Sequence, residues 1–143
     1  MARVFNITMG TGFALSINPN NQKIGDQLIL DVLNVASPLQ QWQWLYMPGV
    51  QASLLYNPSL NLCAAPKSVS EGAAVVLNSM SLEAHSANTF QVLGNVNAAV
   101  RPPADTNLNL NAFGNSWSAG TAVGLWSWSR GQANEIWTST SVV

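Results

Sequence analysis

The feature that most constrains this chain is a threefold internal repeat. Phe13-Ala14-Leu15-Ser16-Ile17 is followed by Gly25 and then Leu28-Ile29-Leu30-Asp31. Leu60-Asn61-Leu62-Cys63-Ala64 is followed by Gly72 and Val75-Val76-Leu77-Asn78, and Leu108-Asn109-Leu110-Asn111-Ala112 by Gly120 and Val123-Gly124-Leu125-Trp126. The glycines stand 47 and 48 residues apart. Each copy closes on an aromatic, Trp42, Phe90 or Trp137, at spacings of 48 and 47. A unit repeated at a fixed period folds the same way each time and buries its apolar face against its neighbours. The copies run over about 1–48, 49–95 and 96–143, and the 143 residues are the size of one domain.

Within each copy the apolar residues alternate: Phe13, Leu15 and Ile17; Val75 and Leu77; Val123 and Leu125. Period two over short runs reads as half-buried strands. Turn chemistry bounds them, in Asn18-Pro19-Asn20-Asn21, Asn57-Pro58-Ser59, Arg101-Pro102-Pro103 and Gly114-Asn115. No stretch carries a helical period with caps. Each copy has room for about four strands of ~5–6 residues. Three blades are too few for a propeller. A closed barrel capped by three hairpins fits, because closure removes exposed edges and lets the three aromatics share one core.

Charge narrows the function. Charged residues are 8% of the chain against 48% hydrophobic, and the net charge is -1. No basic patch is available to hold nucleic acid, and none to hold an anionic membrane. No run reaches the ~20 apolar residues that span a bilayer, and the N-terminus has no apolar stretch of signal-peptide length. The expected location is the cytoplasm, or outside after release without a signal peptide. Cys63 is the only cysteine, so no intrachain disulfide forms, and a free Cys in an apolar run is expected to be buried. One His, His85, makes no metal cage. The carboxylates are scattered, with no convergent pair of the kind a glycosidase needs, and no phosphate-cradling glycine loop is present. No catalytic activity and no cofactor are expected.

The endings Gln40-Gln41-Trp42 and Glu135-Ile136-Trp137, with the degenerate Asn88-Thr89-Phe90, resemble the Gln-x-Trp signature of ricin B-like (R-type) lectins over essentially the whole chain. The resemblance implies an all-β fold, the β-trefoil, with pseudo-threefold symmetry. It also implies carbohydrate binding, commonly of galactose or N-acetylgalactosamine, and a defensive or toxic role. The lack of disulfides and of a signal resembles the intracellular fungal or microbial members. The signature aromatics Trp42, Phe90 and Trp137 are expected in the core, not on the sugar.

In that family each site combines an Asp late in the first strand motif, an aromatic after the Val-x-Leu element, and an Asn just before the signature Gln. In copy three these places hold Asn111, Trp126 and Asn134, with Asn109, Trp117, Trp128 and Arg130 close enough in sequence to extend the site. Asn111 in place of Asp loses the charge-assisted strength of a carboxylate toward hydroxyls. Copy two holds Cys63, Asn78 and Ala87, with His85 nearby; copy one holds Ser16, Asp31 and Leu39. Asp31, Asn78 and His85 are the remaining candidates, and one good site is expected, in copy three. The partners implied are glycans of glycoproteins or glycolipids. The apolar, weakly charged composition points to a homodimer, which would raise avidity. The competing reading is a trefoil protease inhibitor presenting Lys67 or Arg101 on a loop, since the fold itself is silent between these uses.

Overall fold

The structure is a computed structural model and describes residues 3–10, 12–79, 87–114 and 117–142. Among them are four strands per copy: β1 Phe5–Met9, β2 Phe13–Ile17, β3 Leu28–Val32 and β4 Gln43–Met47; β5 Ala52–Asn57, β6 Leu62–Pro66, β7 Val75–Ser79 and β8 Gln91–Val92; β9 Val100–Arg101, β10 Leu108–Ala112, β11 Val123–Ser127 and β12 Thr138–Ser141. The fold is a β-trefoil.

Its barrel closes in a ring that alternates ladders between copies with bridges inside them. The antiparallel pairs β12–β1, β4–β5 and β8–β9 join one copy to the next. Inside the copies the bridges are Phe5 to Trp42, Ser53 to Phe90 and Ala98 to Trp137. Each bridge carries a reciprocal pair of backbone hydrogen bonds of 2.8–2.9 Å. Among the described residues every barrel strand is thus paired or bridged to a neighbour on each side of the ring, as closure requires.

The hairpins β2–β3, β6–β7 and β10–β11 cap the barrel and lock to one another in a cycle. The Gly25 N–H donates to Leu77 O, Gly72 N–H to Leu125 O and Gly120 N–H to Leu30 O, each at 2.8 Å. These glycines have φ of 93°, 84° and 95°, the left-handed region that a side chain disfavours. That requirement fixes the most regular landmark of the repeat. At the axis, Gln27 Nε2 lies 2.8, 3.0 and 2.6 Å from the carbonyl oxygens of Leu28, Val75 and Val123, one from each copy.

The core holds Trp42, Phe90 and Trp137 together with Leu15, Leu30, Leu77, Leu110 and Leu125, as their repeat positions require. The indole N–H of Trp42 donates to Leu15 O and that of Trp137 to Leu110 O, both at 3.0 Å. A buried indole needs such a partner. Phe90 has no N–H to place. Cys63 is buried, and desolvation pushes its thiol up to about 11.

Two details correct the sequence reading. The strand that carries the first apolar motif of copy two, β6, is Leu62–Pro66, not Leu60–Ala64, because Ala64 pairs with Leu77 as Leu15 pairs with Leu30 and Leu110 with Leu125. Ala65, not Cys63, therefore stands at the Ser16 and Asn111 position. The second detail is a single 3-10 turn in the approach to each tryptophan signature, Pro38–Gln40 and Ala133–Glu135.

Candidate functional site

Strand β11 and the loop before Trp137 build a cleft of about 380 Å³ in copy three, lined by Asn111, Phe113, Trp126, Ser129, Gln132 and Asn134 among others. Trp126 is 45% exposed, the condition for a ring that is to receive something on its face. One ring contact supports it, and it passes close over a glycine of copy two. Phe113 meets it edge-to-face, with centroids 6.4 Å apart and planes at 76°. Behind it, Cζ3 lies 3.6 Å from where a Cβ on Gly72 of copy two would stand.

Phe113 has room because of Gly124. A Cβ there would meet the Phe113 ring, 2.7 Å from Cε2 and closer to Cζ, and the Ala73 carbonyl oxygen. The same register position holds Ile29 in copy one and Val76 in copy two. Copy three has given up a β-branched residue, and the space is filled by the ring that supports Trp126. A glycine inside a strand often marks such a close approach.

The polar side of the cleft is an amide pair. Asn134 Nδ2 donates to Asn111 Oδ1 at 3.3 Å, Ala112 O at 3.1 Å and Gly114 O at 3.3 Å. Its donors are thereby committed, and Asn134 Oδ1 and Asn111 Nδ2 have no internal partner among the described residues. One acceptor and one donor face the same space as Trp126.

Beneath them Glu135, 1% exposed, occupies the place of the signature Gln. Its carboxylate accepts the backbone N–H groups of Ser129, Gly131 and Gln132 at 2.7–3.0 Å. Gln40, its counterpart, accepts from Asn34 N at 2.9 Å and donates to Val32 O at 2.9 Å. Glutamate cannot donate, so it gathers N–H groups instead and folds the 129–132 loop around itself. This is the loop that presents Ser129 and Gln132 to the cleft.

The structure thus brings Asn111, Trp126 and Asn134 together, as expected, and separates them from the rest of the candidates. Asn109 does not reach the cleft: it is fully buried, with Nδ2 donating to Leu110 O and Glu135 O at 3.0 and 3.4 Å. Asp31 and Asn78 hold the Trp126 position in their own copies, where each carboxylate or amide oxygen accepts the next residue's N–H, Val32 and Ser79, at 2.8 and 2.9 Å. His85 lies outside the described residues. Trp117 packs against the core over Gly10. Trp128 stacks under the Arg101 guanidinium at 4.9 Å, and Arg130 is exposed at φ 61°. None of these three lines the cleft. Phe113, Ser129, Gln132 and Glu135 are the residues that sequence reasoning missed. The sequence marks the place only through Gly124, a glycine where the other copies carry Ile and Val, which does not name Phe113 as the ring that fills the space.

Arg101 is half-buried with its Nε buried and unpartnered, so it is not presented as an inhibitor's loop residue would be; Lys67 is exposed. Among the described residues no three His, Cys, Asp or Glu side chains gather as a metal site, and no helix is long and apolar enough to cross a membrane.

No family model matches the chain, and no curated protein matches it. Solved structures do. A designed threefold-symmetric protein, ThreeFoil, superimposes with a TM-score of 0.82 at 20% identity, over 96% of this chain and 97% of the other. The ricin B-like lectin of Macrolepiota procera, in complex with lactose, gives 0.74 at 20% identity, over 95% and 93%. The C-half of the earthworm R-type lectin, in complex with GalNAc, gives 0.71 at 17% identity, over 97% and 98%. These likenesses are of fold.

Proposed function

We propose that this chain, a β-trefoil like those of ricin B-like lectins, is itself a lectin, binding terminal galactose or N-acetylgalactosamine in the copy-three cleft. The observation that carries the reading is the convergence of a half-exposed indole with an amide pair whose remaining acceptor and donor face the same space. A pyranose with a flat C–H face stacks on Trp126. Its neighbouring hydroxyls donate to Asn134 Oδ1 and accept from Asn111 Nδ2. The lactose and GalNAc carried by the two lectins of the same fold support the choice of sugar.

With Asn111 neutral, every polar contact is an uncharged hydrogen bond, worth about 0.5–1.5 kcal/mol net. The site buries little, and affinity for a single sugar is in the weak range expected of small wet ligands. Useful binding then requires several contacts at once, through a homodimer or several sites per chain. The ligands are glycans of glycoproteins or glycolipids, and binding serves recognition, with no chemical step.

A glycan array tests the reading. The native protein is expected to prefer terminal galactosides over glucosides and mannosides, and Trp126→Ala and Asn134→Ala to lose that preference. Absence of glycan binding by the native protein would remove the lectin reading. Retained preference in both variants would remove the site. Inhibition of trypsin by the native protein would favour the inhibitor reading in its place.

A further inference from the structure

A second cleft, of about 260 Å³, lies on the barrel wall between copies one and two, and shares no residue with the first. It is built across three neighbouring strands: Tyr46 on β4 faces Ser53 on β5, and Ser53 is bridged in turn to Phe90 beside Gln91 of β8. Neighbouring strands lie ~4.8 Å apart, so the cleft spans about 10 Å, room for one pyranose ring.

Three properties set it apart from ordinary barrel surface. Tyr46 is 61% exposed, a large ring standing out of the sheet with no packing partner of its own kind. Its counterparts at the same distance from the core aromatic are Gly94 and Ser141, so the ring is not part of the repeat. Second, the side-chain polar groups around it, the Tyr46 and Ser53 hydroxyls and the Gln51 and Gln91 amides, make no internal hydrogen bond among the described residues. Third, no charged residue lines it among the described residues. An aromatic face ringed by free hydroxyl and amide groups, without charge, complements a ligand that has an apolar C–H face and neutral hydroxyls. Gln51 also keeps φ at 53°, where Gly or Asn is favoured, holding its amide at the cleft's edge.

We infer that this cleft is a second carbohydrate site, for neutral saccharides, stacked on Tyr46 and bonded by Gln51 and Gln91. The choice of ligand class rests on the lectin reading; the site does not, since it uses other residues. Its donors and acceptors are not pre-arranged as Asn111 and Asn134 are. Ordering them on binding opposes affinity. The second site is therefore the weaker and less selective of the two. Its consequence is that one chain carries two sites and links two glycans without a dimer.

The test is a titration of the isotopically labelled full chain with lactose and, separately, maltose, followed by amide and side-chain NMR shifts. Saturable shifts at Tyr46, Gln51 and Gln91 with both sugars are expected. They persist in Trp126→Ala and disappear in Tyr46→Ala, and Gln91→Ala weakens them several-fold. Shifts around Trp126 with none around Tyr46 would overturn this inference and leave the proposed function standing. Shifts around Tyr46 alone would sustain it and overturn the copy-three site. Movement at neither place would overturn both.

Discussion

Gly124→Ala inserts one methyl group at the point where copy three differs most from its siblings. The new Cβ meets the Phe113 ring and the Ala73 carbonyl oxygen, both nearer than carbon tolerates. The two contacts do not weigh equally. Ile29 and Val76 stand at the same register position, beside the carbonyls that accept from Leu30 and Leu77, so that neighbourhood accommodates a Cβ with a small shift. The ring is particular to copy three. Forcing it aside in a packed region costs ~1–3 kcal/mol. For a chain of this size that is a fall in melting temperature of about 3–12 °C, at ~3–4 °C per kcal/mol. The ring displaced is the one that holds Trp126 edge-to-face, so binding to galactosides should weaken as well.

Thermal melts of four proteins measure the effect: native, Gly124→Ala, Phe113→Ala and the double variant. With the ring gone, the added methyl group should cost little, giving a coupling of about 1 kcal/mol or more between neighbouring sites. A Gly124→Ala chain as stable as the native one would refute the reasoning. So would the same loss with and without Phe113, which would assign the strain to the backbone.

Other expectations follow from the axis, the carboxylate and the thiol. Gln27→Ala removes the amide that serves a carbonyl from each copy and should lower stability by ~1–3 kcal/mol, read from the urea midpoint. Glu135→Gln turns an amide N–H₂ toward backbone N–H donors. It should cost ~1–3 kcal/mol in the same assay and weaken galactoside binding, because the 129–132 loop loses its centre. Cys63 should react with a thiol reagent at pH 8 only after denaturant is added. Its folded thiol titrates near 11 against an ordinary 9.0, so between those values the unfolded chain ionises first. Stability is undiminished by this group below pH 9 and falls as pH rises toward 11, which melts in that window would show.

The barrel was legible in the sequence because the same physical demands recur three times. A left-handed glycine joins the hairpins, a leucine pairs across each, and a large aromatic fills the centre; Gly25, Leu30 and Trp42 and their counterparts satisfy those demands in all three copies. Strand β6 of copy two was misplaced by two residues for a local reason. Asn61 is a turn residue at φ 54°, bonded to the Tyr56 hydroxyl at 2.7 Å, and Leu60 packs on the core from the turn. Alternation alone does not separate such a turn from a strand. In the candidate site, Trp126 and Asn134 share one cleft, as the sequence led us to expect, because their places are fixed relative to the barrel landmarks. Asn109 shares the strand face of Asn111 but lies outside the cleft because the chain at Glu135 covers it, a burial that alternation along one strand does not display. Phe113 escaped notice because its role depends on a side chain absent from another strand, a relation that no linear pattern displays.

The central claim is that Trp126 carries the sugar. Its exposed fraction, 45% of a side chain that presents ~250 Å², offers about 110 Å² for stacking. Covering most of it is worth ~2 kcal/mol at ~25 cal/mol per Å², or roughly 30-fold in affinity. Calorimetric titration with lactose of the native chain and of Trp126→Ala measures this directly. The tighter binding step is expected to weaken by about 30-fold or to vanish in the variant, with the melting curve still cooperative. A lactose affinity unchanged by the loss of Trp126 would contradict the account.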